Sequence, residues 1–433
     1  MFVSELAKIN TNGNLEFSGC DTVELARKYG TPLYVTSLDG VKASCREFID
    51  ALDKYYGGNG MILYASKANC NLAICKAVSS VGFGLDIVSG GELYTAIKAN
   101  VNPAMICFHG NNKTIDELEY AIDSKVGRIF ADSLEELELI DAIAAKRKVN
   151  VNVLVRVNPG VEASTHEYIK TGQEDSKFGL SISKGLALEG VLKALSLENI
   201  MLLGIDCHIG SQIFEIKPFE DEVDMLMDFM KKVKELTGVE FKEVNIGGGF
   251  GVKYVMSDDP LSAERIISCV AKRIKAFCAD NNFSEPFIMF EPGRAIVANN
   301  GITLYSVGCI KEIEDVRNFV SIDGGMFDNP RYALYRAVYT ACIANKASQK
   351  ADYPAAIAGK CCESGDFIGK DIMIQKPQRD DILAVFTTGA YNYSMSSNYN
   401  RNPRPAMVVI EDGIDRIAVR RQTYEDIVAF DVE

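Results

Sequence analysis

The chain contains a lysine at a position where its amine could do covalent chemistry. Lys67 follows an apolar run that begins at Met61 and that predicts a buried strand. Burial at the end of such a strand would partly desolvate the ammonium group, lower its pKa and leave free amine for imine formation with a carbonyl compound. The alternative is a lysine whose ammonium group extends into solvent at a strand end, which is the commoner case for an isolated lysine.

A glycine loop supports the covalent role of this lysine. Residues 245–251 read Asn-Ile-Gly-Gly-Gly-Phe-Gly, and amides such as those of Gly248 and Gly249 can converge on an anion because no Cβ intervenes. A tight turn is the other common use of a glycine triplet. Because the loop follows the seventh predicted strand, where barrel enzymes often bind phosphate, the sequence predicts a phosphate site there.

Glu291 and His208 also lie at the ends of predicted strands. Glu291 could form a salt bridge with Arg294 or cap a turn, or it could hold a proton on a pyridine nitrogen so that the ring accepts electrons. His208 could be an ordinary hydrogen-bonded histidine or a flat ring stacked on a cofactor. An amine for an aldehyde, amides for a phosphate and a carboxylate for a ring nitrogen together predict pyridoxal 5'-phosphate (PLP) as the cofactor.

Eight apolar runs, most of them separated by segments of helical periodicity, position these residues. The runs are 61–66, 84–88, 104–109, 127–131, 151–157, 201–208, 242–246 and 287–291. The segment 133–148 opens with Ser-Leu-Glu-Glu, which predicts a capping box at a helix N-terminus. A doubly wound open sheet also alternates, but it seldom keeps eight units so regular. The pattern therefore predicts an α/β fold with a (β/α)8 barrel, whose strands would end at a rim carrying Lys67, Asp86, His109 and Arg156.

The sequence changes character after Arg294. Short β-rich runs are divided by Gly, Pro, Asn and Asp turns, and helical periodicity mostly fades, which predicts a second, all-β domain. The segment before Val35 has the same strand-and-turn character, and we expect it to pack onto that domain. The predicted domains are a barrel over 36–299 and a β-sandwich or β-barrel formed by 1–35 and 300–433.

Composition limits the classes of function. The chain has 433 residues, of which 47% are hydrophobic, and a formal net charge of -13 that argues against binding to nucleic acid. No apolar run of membrane-spanning length occurs, and charges near the start argue against an export signal. The twelve cysteines are dispersed without the spacing of metal ligands. We therefore expect reduced thiols, no metal site and a cytoplasmic location.

Several motifs resemble the fold-type III PLP-dependent decarboxylases, which share the alanine racemase-like barrel. These motifs are Tyr-Ala-Ser-Lys-Ala-Asn at 64–69, His-Ile-Gly-Ser-Gln at 208–212, Gly-Gly-Gly-Phe-Gly at 247–251 and Glu-Pro-Gly-Arg at 291–294. Other motifs are more selective and resemble those of the diaminopimelate decarboxylase family. They are the runs at 168–172, 176–179, 323–326, 331–335, 362–366 and 389–391. The resemblance spans nearly the whole chain in the order of the family.

The resemblance implies a role for each matching residue. Lys67 would bind the aldehyde of PLP, His208 would stack on its ring and Glu291 would pair with its nitrogen, while Ser211, the glycine loop and Tyr391 would bind its phosphate. The predicted cofactor-binding residues are Lys67, Asp86, His208, Ser211, Gly248, Gly249, Glu291, Gly293, Arg294 and Tyr391. The predicted catalytic residues are Lys67, Cys362 and His208.

The resemblance also implies the substrate. Arg294, Arg331 and Tyr335, with Tyr391, would bind a distal carboxylate, and Glu363 would bind a distal ammonium group. Guanidinium groups suit a carboxylate and a glutamate suits an ammonium group, so the set favours meso-2,6-diaminopimelate, which would give L-lysine and CO2. Cys362 would donate the proton. Cys362 and Glu363 would enter from a second subunit, which implies a homodimer with sites completed across its interface.

Alternatives remain at this point. A decarboxylase of ornithine, lysine or carboxynorspermidine would share the fold, and an alanine racemase would share the barrel and the lysine. A catalytically inactive PLP-binding protein, or a barrel enzyme that depends on NAD or a phosphosugar, would share fewer of these features. Tyr332 stands where the family usually has proline, which leaves the orientation of Arg331 less certain. Cys361, next to Cys362, is expected to be a small buried apolar residue.

Overall fold

A computed structural model describes residues 2–160 and 176–432, and the chain forms two compact units. One unit consists of Ser44–Gly251 and Pro260–Gly293, and we call it the barrel unit. The other consists of Met1–Ala43, Val252–Asp259 and Arg294–Glu433, and we call it the sheet-rich unit. The functional domain boundaries at residues 35 and 299 stay a prediction.

Eight parallel strands close into a barrel in the barrel unit. They are Gly60–Ala65, Gly84–Ile87, Ile106–Phe108, Arg128–Ala131, Val151–Asn158, Ile200–Asp206, Glu243–Asn245 and Phe287–Phe290. Each strand pairs in parallel with the next, and the last pairs with the first, with Ile288 opposite Gly60. A short strand, Leu180–Ser181, pairs in parallel with the end of the fifth strand. All eight predicted apolar runs form barrel strands, so the predicted (β/α)8 fold is confirmed.

Helices alternate with these strands. Their bounds are Leu38–Tyr56, Leu72–Ser80, Gly90–Lys98, Ile115–Asp123, Leu134–Arg147, Leu186–Ser196, Lys217–Thr237 and Ala263–Asn281. The predicted capping box at Ser133 is half formed: its side chain accepts from the Glu136 amide, but the Glu136 carboxylate accepts from the Asp132 amide instead of returning to Ser133. A complete box lies at Thr114 and Glu117. Glu136 is diverted because it also accepts from the buried Lys113 ammonium group at 2.9 Å.

The sheet-rich unit contains a three-stranded and a nine-stranded sheet. The strands of the small sheet are Ala7–Ile9, Leu15–Phe17 and Cys20–Asp21. Those of the large sheet are Leu33–Ser37, Gly301–Ile313, Arg317–Ile322, Ala341–Ile343, Tyr353–Ala358, Phe367–Ile374, Ile382–Val385, Ala406–Glu411 and Ile414–Val419. Four short helices, Thr22–Tyr29, Arg294–Val297, Arg331–Tyr335 and Tyr424–Val428, accompany them.

The N-terminal segment supplies an internal strand of the large sheet. Leu33–Ser37 pairs antiparallel with Gly301–Ile313 and parallel with Ala406–Glu411, and all five of its residues are buried. The prediction that this segment packs onto the second domain is therefore confirmed. The strand is therefore internal to the sheet and buried on both faces, including its polar residues Thr36 and Ser37.

The interior of the barrel has an apolar part and a polar part. Side chains from several strands form an apolar cluster, which comprises Met61, Leu63, Cys107, Phe130, Leu154 and Met289. Polar side chains occupy the ends of the same strands and the loops that follow, as barrels position their chemistry. Over residues 2–160 and 176–432, no helix is long and apolar enough to cross a membrane.

Candidate active site

Lys67 lies in a single helical turn, Ser66–Ala68, directly after the first barrel strand. Its Nζ atom is 3.4 Å from Oδ2 of Asp86, which ends the second strand and is 1% exposed. The Lys67 side chain itself is 44% exposed, so the predicted desolvation of the amine is not found. The reason is that the buried strand ends at Ala65 and Lys67 lies in the turn that follows it. A buried carboxylate, rather than burial of the lysine, is the main feature of its surroundings.

Asp86, His109 and Glu291 form a buried group at the ends of strands two, three and eight. The Glu291 carboxylate accepts from the Asn245 amide at 2.5 Å. His109 Nε2 is 2.6 Å from Glu291 Oε1 and 3.9 Å from Asp86 Oδ1, although its geometry gives no hydrogen bond to either. Burial lowers the pKa of His109 to about 4, despite the opposing effect of Asp86 and Asp206, so the imidazole is neutral near pH 7.

Burial also governs the acids of this group. It raises the pKa of Glu291, while Lys67, the Asn245 hydrogen bond and Arg156 act in the opposite direction. It raises the pKa of Asp206 to about 7, because Asp206 is almost fully enclosed with other carboxylates near it. Arg156 Nε lies 3.7 Å from Asp206 Oδ2 and partly offsets this effect. The barrel therefore gathers several acids in one enclosed place, where they compete to remain ionised.

The glycine loop makes a close backbone approach around His208. The Gly248 amide donates to His208 Nδ1 at 3.1 Å, so this amide already has a partner, and the ring proton lies on Nε2. A Cβ atom on Gly248 would lie 2.4 Å from the Glu291 carbonyl oxygen, and Gly249 has a φ of +97°. Only glycine satisfies both positions. Burial, followed by the positive charges of Lys67 and Arg156, lowers the pKa of His208 well below its usual value, which keeps the ring neutral.

A second cluster lies wholly within the sheet-rich unit. Arg294 and Arg331 are the first residues of two short helices, and both are buried. The Arg294 and Arg331 Cζ atoms lie 4.9 and 5.4 Å from the centroid of the Tyr391 ring. Tyr391 itself has a φ of +63°, a left-handed conformation that is rare for tyrosine and is found most often at functional sites.

Arg331 shows what this cluster lacks. Its side chain is 7% exposed, and its Nε and Nη1 atoms have no hydrogen-bond partner within residues 2–160 and 176–432. Rings surround it: its Cζ lies 5.8 Å from the centroids of both Tyr254 and Tyr335. Aromatic faces stabilise a cation but accept no strong hydrogen bond from it, and unpaired buried donors cost about 1–3 kcal/mol each. An anion in front of Arg331 would satisfy both atoms.

Tyr332 does not disturb this arrangement. It is the second residue of the helix Arg331–Tyr335, and its ring packs edge to face with Phe367 at 6.2 Å. The first turn of a helix has no internal acceptors for its amides, so proline and tyrosine are both compatible with this position. The orientation of Arg331, which the sequence left uncertain, is thus explained by its burial among the tyrosine rings.

Cys362 and Glu363 lie on an exposed loop of the sheet-rich unit. The Cys362 amide donates to Asn400 Oδ1 at 2.8 Å. The loop is anchored by buried Asp366, whose carboxylate accepts from the amides of Met326 and Cys361 at 2.6 and 2.7 Å. Cys361 is 8% exposed, as predicted for a small buried residue. Both predicted functional side chains of this loop face outward from the protomer.

The structure thus brings the predicted residues together in two separate sets. Lys67, Asp86, His208, Gly248 and Glu291 belong to the barrel unit, as do Ser211, Gly249 and Gly293. Arg294, Arg331, Tyr335, Cys362, Glu363 and Tyr391 belong to the sheet-rich unit. The motif at 168–172 and most of the 166–179 loop lie outside the described residues.

Sequence reasoning did not assign roles to Asp206, Asn245 or Tyr254. Asp206 precedes His208 by two residues, and Asn245 opens the glycine loop, so their positions at strand ends were a usable signal. Tyr254, whose hydroxyl accepts from Arg294 Nη1 at 2.6 Å, follows the loop by three residues and carries no comparable signal. Its contact with an arginine distant in sequence is visible only in the folded chain.

The barrel residues fit the cofactor that the sequence predicts. A lysine amine, a buried carboxylate at the eighth strand and a glycine loop that tolerates no Cβ are the donor set for an aldehyde, a ring nitrogen and a phosphate. The neutral His208 ring, tethered by its Nδ1 atom, suits stacking. Asp86, His109 and Glu291 also have the spacing of metal ligands, but their close contact with Lys67 and Asn245 suits an organic cation better.

Comparison with known proteins agrees with this geometry. Residues 38–298 match the family model described as "Pyridoxal-dependent decarboxylase, pyridoxal binding domain". The chain is 45% identical to the diaminopimelate decarboxylase of Bacillus methanolicus over 422 residues, which cover 98% of each protein. It is 43% identical to that of Bacillus subtilis (strain 168), with 100% of this chain and 98% of the relative covered.

A solved structure shows the same similarity in three dimensions. The diaminopimelate decarboxylase of M. jannaschii, crystallised in complex with L-lysine, superposes with a TM-score of 0.93 at 37% identity. The alignment covers 100% of this chain and 99% of that structure. Similarity therefore extends through both units rather than the barrel alone.

Proposed function

The chain belongs to the diaminopimelate decarboxylase family of the pyridoxal-dependent decarboxylases, and on that premise we propose that it converts meso-2,6-diaminopimelate to L-lysine and CO2, the last step of lysine biosynthesis. The observation that carries the proposal is the buried Arg331, whose unpartnered nitrogens call for an anion. Ornithine and lysine, as substrates of the related decarboxylases, have no second carboxylate to offer. Diaminopimelate has one at each end.

PLP is the cofactor, and we propose that the barrel residues hold it. Lys67 Nζ would bind the aldehyde of PLP. The phosphate would be bound by the glycine loop, Ser211 and the amide of Gly293. His208 would stack on the face of the ring. Bound PLP supplies a ring that accepts the electron pair left by the departing carboxyl group. Glu291 would hold a proton on the ring nitrogen, and its hydrogen bond from Asn245 fixes the orientation of the carboxylate. Asp86 holds the Lys67 amine in place.

The distal half of the substrate would be bound by the cluster in the sheet-rich unit. Arg294 and Arg331, with Tyr335 and Tyr391, would take the carboxylate, because a guanidinium group offers two parallel donors that match its oxygens. A guanidinium group stays protonated in proteins, so this subsite is cationic. This permanent positive charge favours a substrate with two carboxylates, one of which remains after the other is lost as CO2.

We propose that the enzyme is a homodimer in which Cys362 and Glu363 of one protomer complete the site of its partner. Cys362 Sγ would donate the proton that replaces CO2, and Glu363 would bind the distal ammonium group. The exposure of both side chains in one protomer supports this, because a proton donor and a charge-pairing residue need an enclosed site. A cytoplasmic location belongs to the same proposal and is supported by all twelve cysteines being free.

The function is tested by measuring CO2 release from meso-diaminopimelate, ornithine and lysine by the purified enzyme with PLP. We expect release from meso-diaminopimelate only, together with a visible absorbance band that borohydride abolishes. Lys67→Ala should lose the band and all measurable turnover, because no other amine replaces the nucleophile. An enzyme that prefers ornithine, or a Lys67→Ala variant that keeps both band and turnover, would refute the proposal.

The proton donor is tested separately with Cys362→Ala. We expect kcat to fall by about 10²-fold, a typical contribution of general acid catalysis, while the absorbance band of bound PLP remains. Cys361→Ala is the matched control, since its thiol is buried away from the exposed face of the loop. Equal kcat values for Cys362→Ala and the wild type would remove Cys362 from this role.

A further inference from the structure

Tyr254 lies between the two arginines of the sheet-rich unit. Its hydroxyl accepts from Arg294 Nη1 at 2.6 Å, and the positive charge of Arg331 also acts on the phenol. Its ring faces both cations, with the Cζ atoms of Arg294 and Arg331 at 5.7 and 5.8 Å from the centroid. The side chain is 8% exposed. One buried phenol thus contacts both groups proposed to bind the distal carboxylate.

The position of Tyr254 is fixed by contacts that do not involve the arginines. The Asp258 carboxylate accepts from the backbone amides of Tyr254 and Val255 at 2.9 and 3.1 Å, which closes the loop on itself. The Tyr339 and Tyr254 rings pack edge to face, with their centroids 5.6 Å apart and their planes at 75°. Because the phenol is held by its own loop and by a neighbouring ring, it can serve as a reference point for two long, flexible side chains.

The hydrogen-bond capacity of the hydroxyl shows a second role. A phenol oxygen accepts two hydrogen bonds and donates one, while a guanidinium group only donates. Arg294 therefore uses an accepting site of the oxygen and leaves its proton for another acceptor. A carboxylate that binds Arg294 and Arg331 would present such an acceptor beside them.

We propose that Tyr254 is a positioning and specificity-determining residue of the distal-carboxylate subsite, aligning Arg294 and Arg331 and donating its own hydroxyl proton to the carboxylate. The inference rests on the proposed function, because it assumes that the two arginines bind this part of the substrate. If Tyr254 has this role, its hydroxyl increases the affinity of the enzyme for every ligand that carries the distal amino-acid group, including the product L-lysine.

The ionisation of Tyr254 provides a signature that a purely structural residue would not have. Burial raises the pKa of the phenol, but the charges of Arg294 and Arg331 more than offset this, so its pKa lies below the usual value. The other titratable groups around it are Tyr339, whose ring packs on Tyr254, Tyr391, whose ring lies against both arginines, and Asp258 at its backbone. Loss of the proton would remove the donor and place a negative charge next to the ligand carboxylate.

The test uses the full-length holoenzyme and the variant Tyr254→Phe, which keeps the ring and removes the hydroxyl. We expect KM for meso-diaminopimelate and the inhibition constant of L-lysine to rise by about ten- to hundredfold, the effect of one hydrogen bond to a charged group. We expect kcat to change by less than about threefold and the absorbance band of bound PLP to be unchanged. Tyr339→Phe is the matched control, because its hydroxyl faces Asn392, and its L-lysine inhibition constant should match the wild type.

A pH series on the wild type tests the proposal even if the variant does not fold. L-lysine affinity should fall as pH rises from about 7 to about 10, the range below the normal tyrosine pKa. The fall should be steeper in the wild type and in Tyr339→Phe than in Tyr254→Phe, where the ammonium groups of the ligand still titrate but residue 254 does not. An unchanged inhibition constant in Tyr254→Phe, or the same pH dependence in Tyr254→Phe and the wild type, would overturn the inference. Failure of the wild type to decarboxylate meso-diaminopimelate would instead overturn the proposed function.

Discussion

The barrel cluster and the arginine cluster bury charge in opposite ways. In the barrel unit, Asp86, Asp206 and Glu291 lie together with one neutral histidine, His109, at the ends of parallel strands. In the sheet-rich unit, cations lie among tyrosine rings at the starts of short helices. The first cluster suits an amine and a protonated ring nitrogen, and the second suits a carboxylate. Each region carries the charge opposite to that of its proposed ligand.

The two clusters tolerate burial by different means. Carboxylates can take up protons, so crowding and burial raise the pKa of Asp206 to about 7 and the cluster relieves its own repulsion. A guanidinium group cannot release its proton, so Arg331 depends on aromatic faces and on an external anion. We therefore expect substitutions in the barrel cluster to change catalysis and pH dependence, and substitutions in the arginine cluster to change ligand affinity.

The largest effect should follow from Glu291→Gln. An amide of the same shape cannot hold a proton on the ring nitrogen, so we expect kcat to fall by about 10²- to 10³-fold, comparable to the loss of one preorganised electrostatic group. The inhibition constant of L-lysine should remain within about threefold of the wild type. Steady-state kinetics and inhibition by L-lysine measure both. A normal kcat would show that the barrel acids do not control the electron-accepting ring.

Arg331→Lys should have the opposite profile. Lysine keeps the positive charge but not the paired donors, so we expect KM for meso-diaminopimelate to rise by about ten- to hundredfold. The absorbance band of bound PLP should be the same as in the wild type, since Lys67, which we propose binds the aldehyde, lies in the barrel unit. Titration with L-lysine, followed by inhibition, provides the independent measurement. An altered band with unchanged KM would contradict the division of roles between the two clusters.

The smallest effect concerns the stability of the barrel cluster. The pKa of Asp206 is raised from its unfolded value near 4 to about 7, so its contribution to stability is complete below about pH 4 and is lost as pH rises through 7. The side chain introduced by Asp206→Asn cannot ionise. Between about pH 5 and pH 8, the free energy of unfolding of Asp206→Asn should therefore rise by about 3 kcal/mol relative to that of the wild type. Denaturant unfolding at both pH values measures the change.

The matched control for this prediction lies in the arginine cluster. Tyr335→Phe removes a hydroxyl from that cluster without touching a barrel acid, and its free energy of unfolding should follow the wild-type pH dependence. A parallel dependence in Asp206→Asn and the wild type would mean that Asp206 stays ionised when buried. Arg156, at 3.7 Å, would then compensate its charge more strongly than its distance indicates.

Much of the fold could be predicted because its periodicities are local. Strands buried on both faces produce continuous apolar runs, and all eight runs became barrel strands with ends shifted by only one to two residues in most cases. The capping box at Ser133 was only half right, because Glu136 is recruited by Lys113, which lies more than twenty residues earlier in the chain. A contact between segments overrode a local pattern.

The residue types of the two sites could likewise be predicted from the sequence, but the electrostatics of the sites could not. Lysine, glutamate, glycine and arginine at motif positions specify which reactions are chemically possible, since residue type alone decides what can bind an aldehyde, a phosphate or a carboxylate. The exposure of Lys67, the crowding around Asp206 and the place of Tyr254 between two arginines arise only when distant segments meet. Desolvation and charge coupling depend on three-dimensional distance, which is why folding, and no single stretch of residues, sets them.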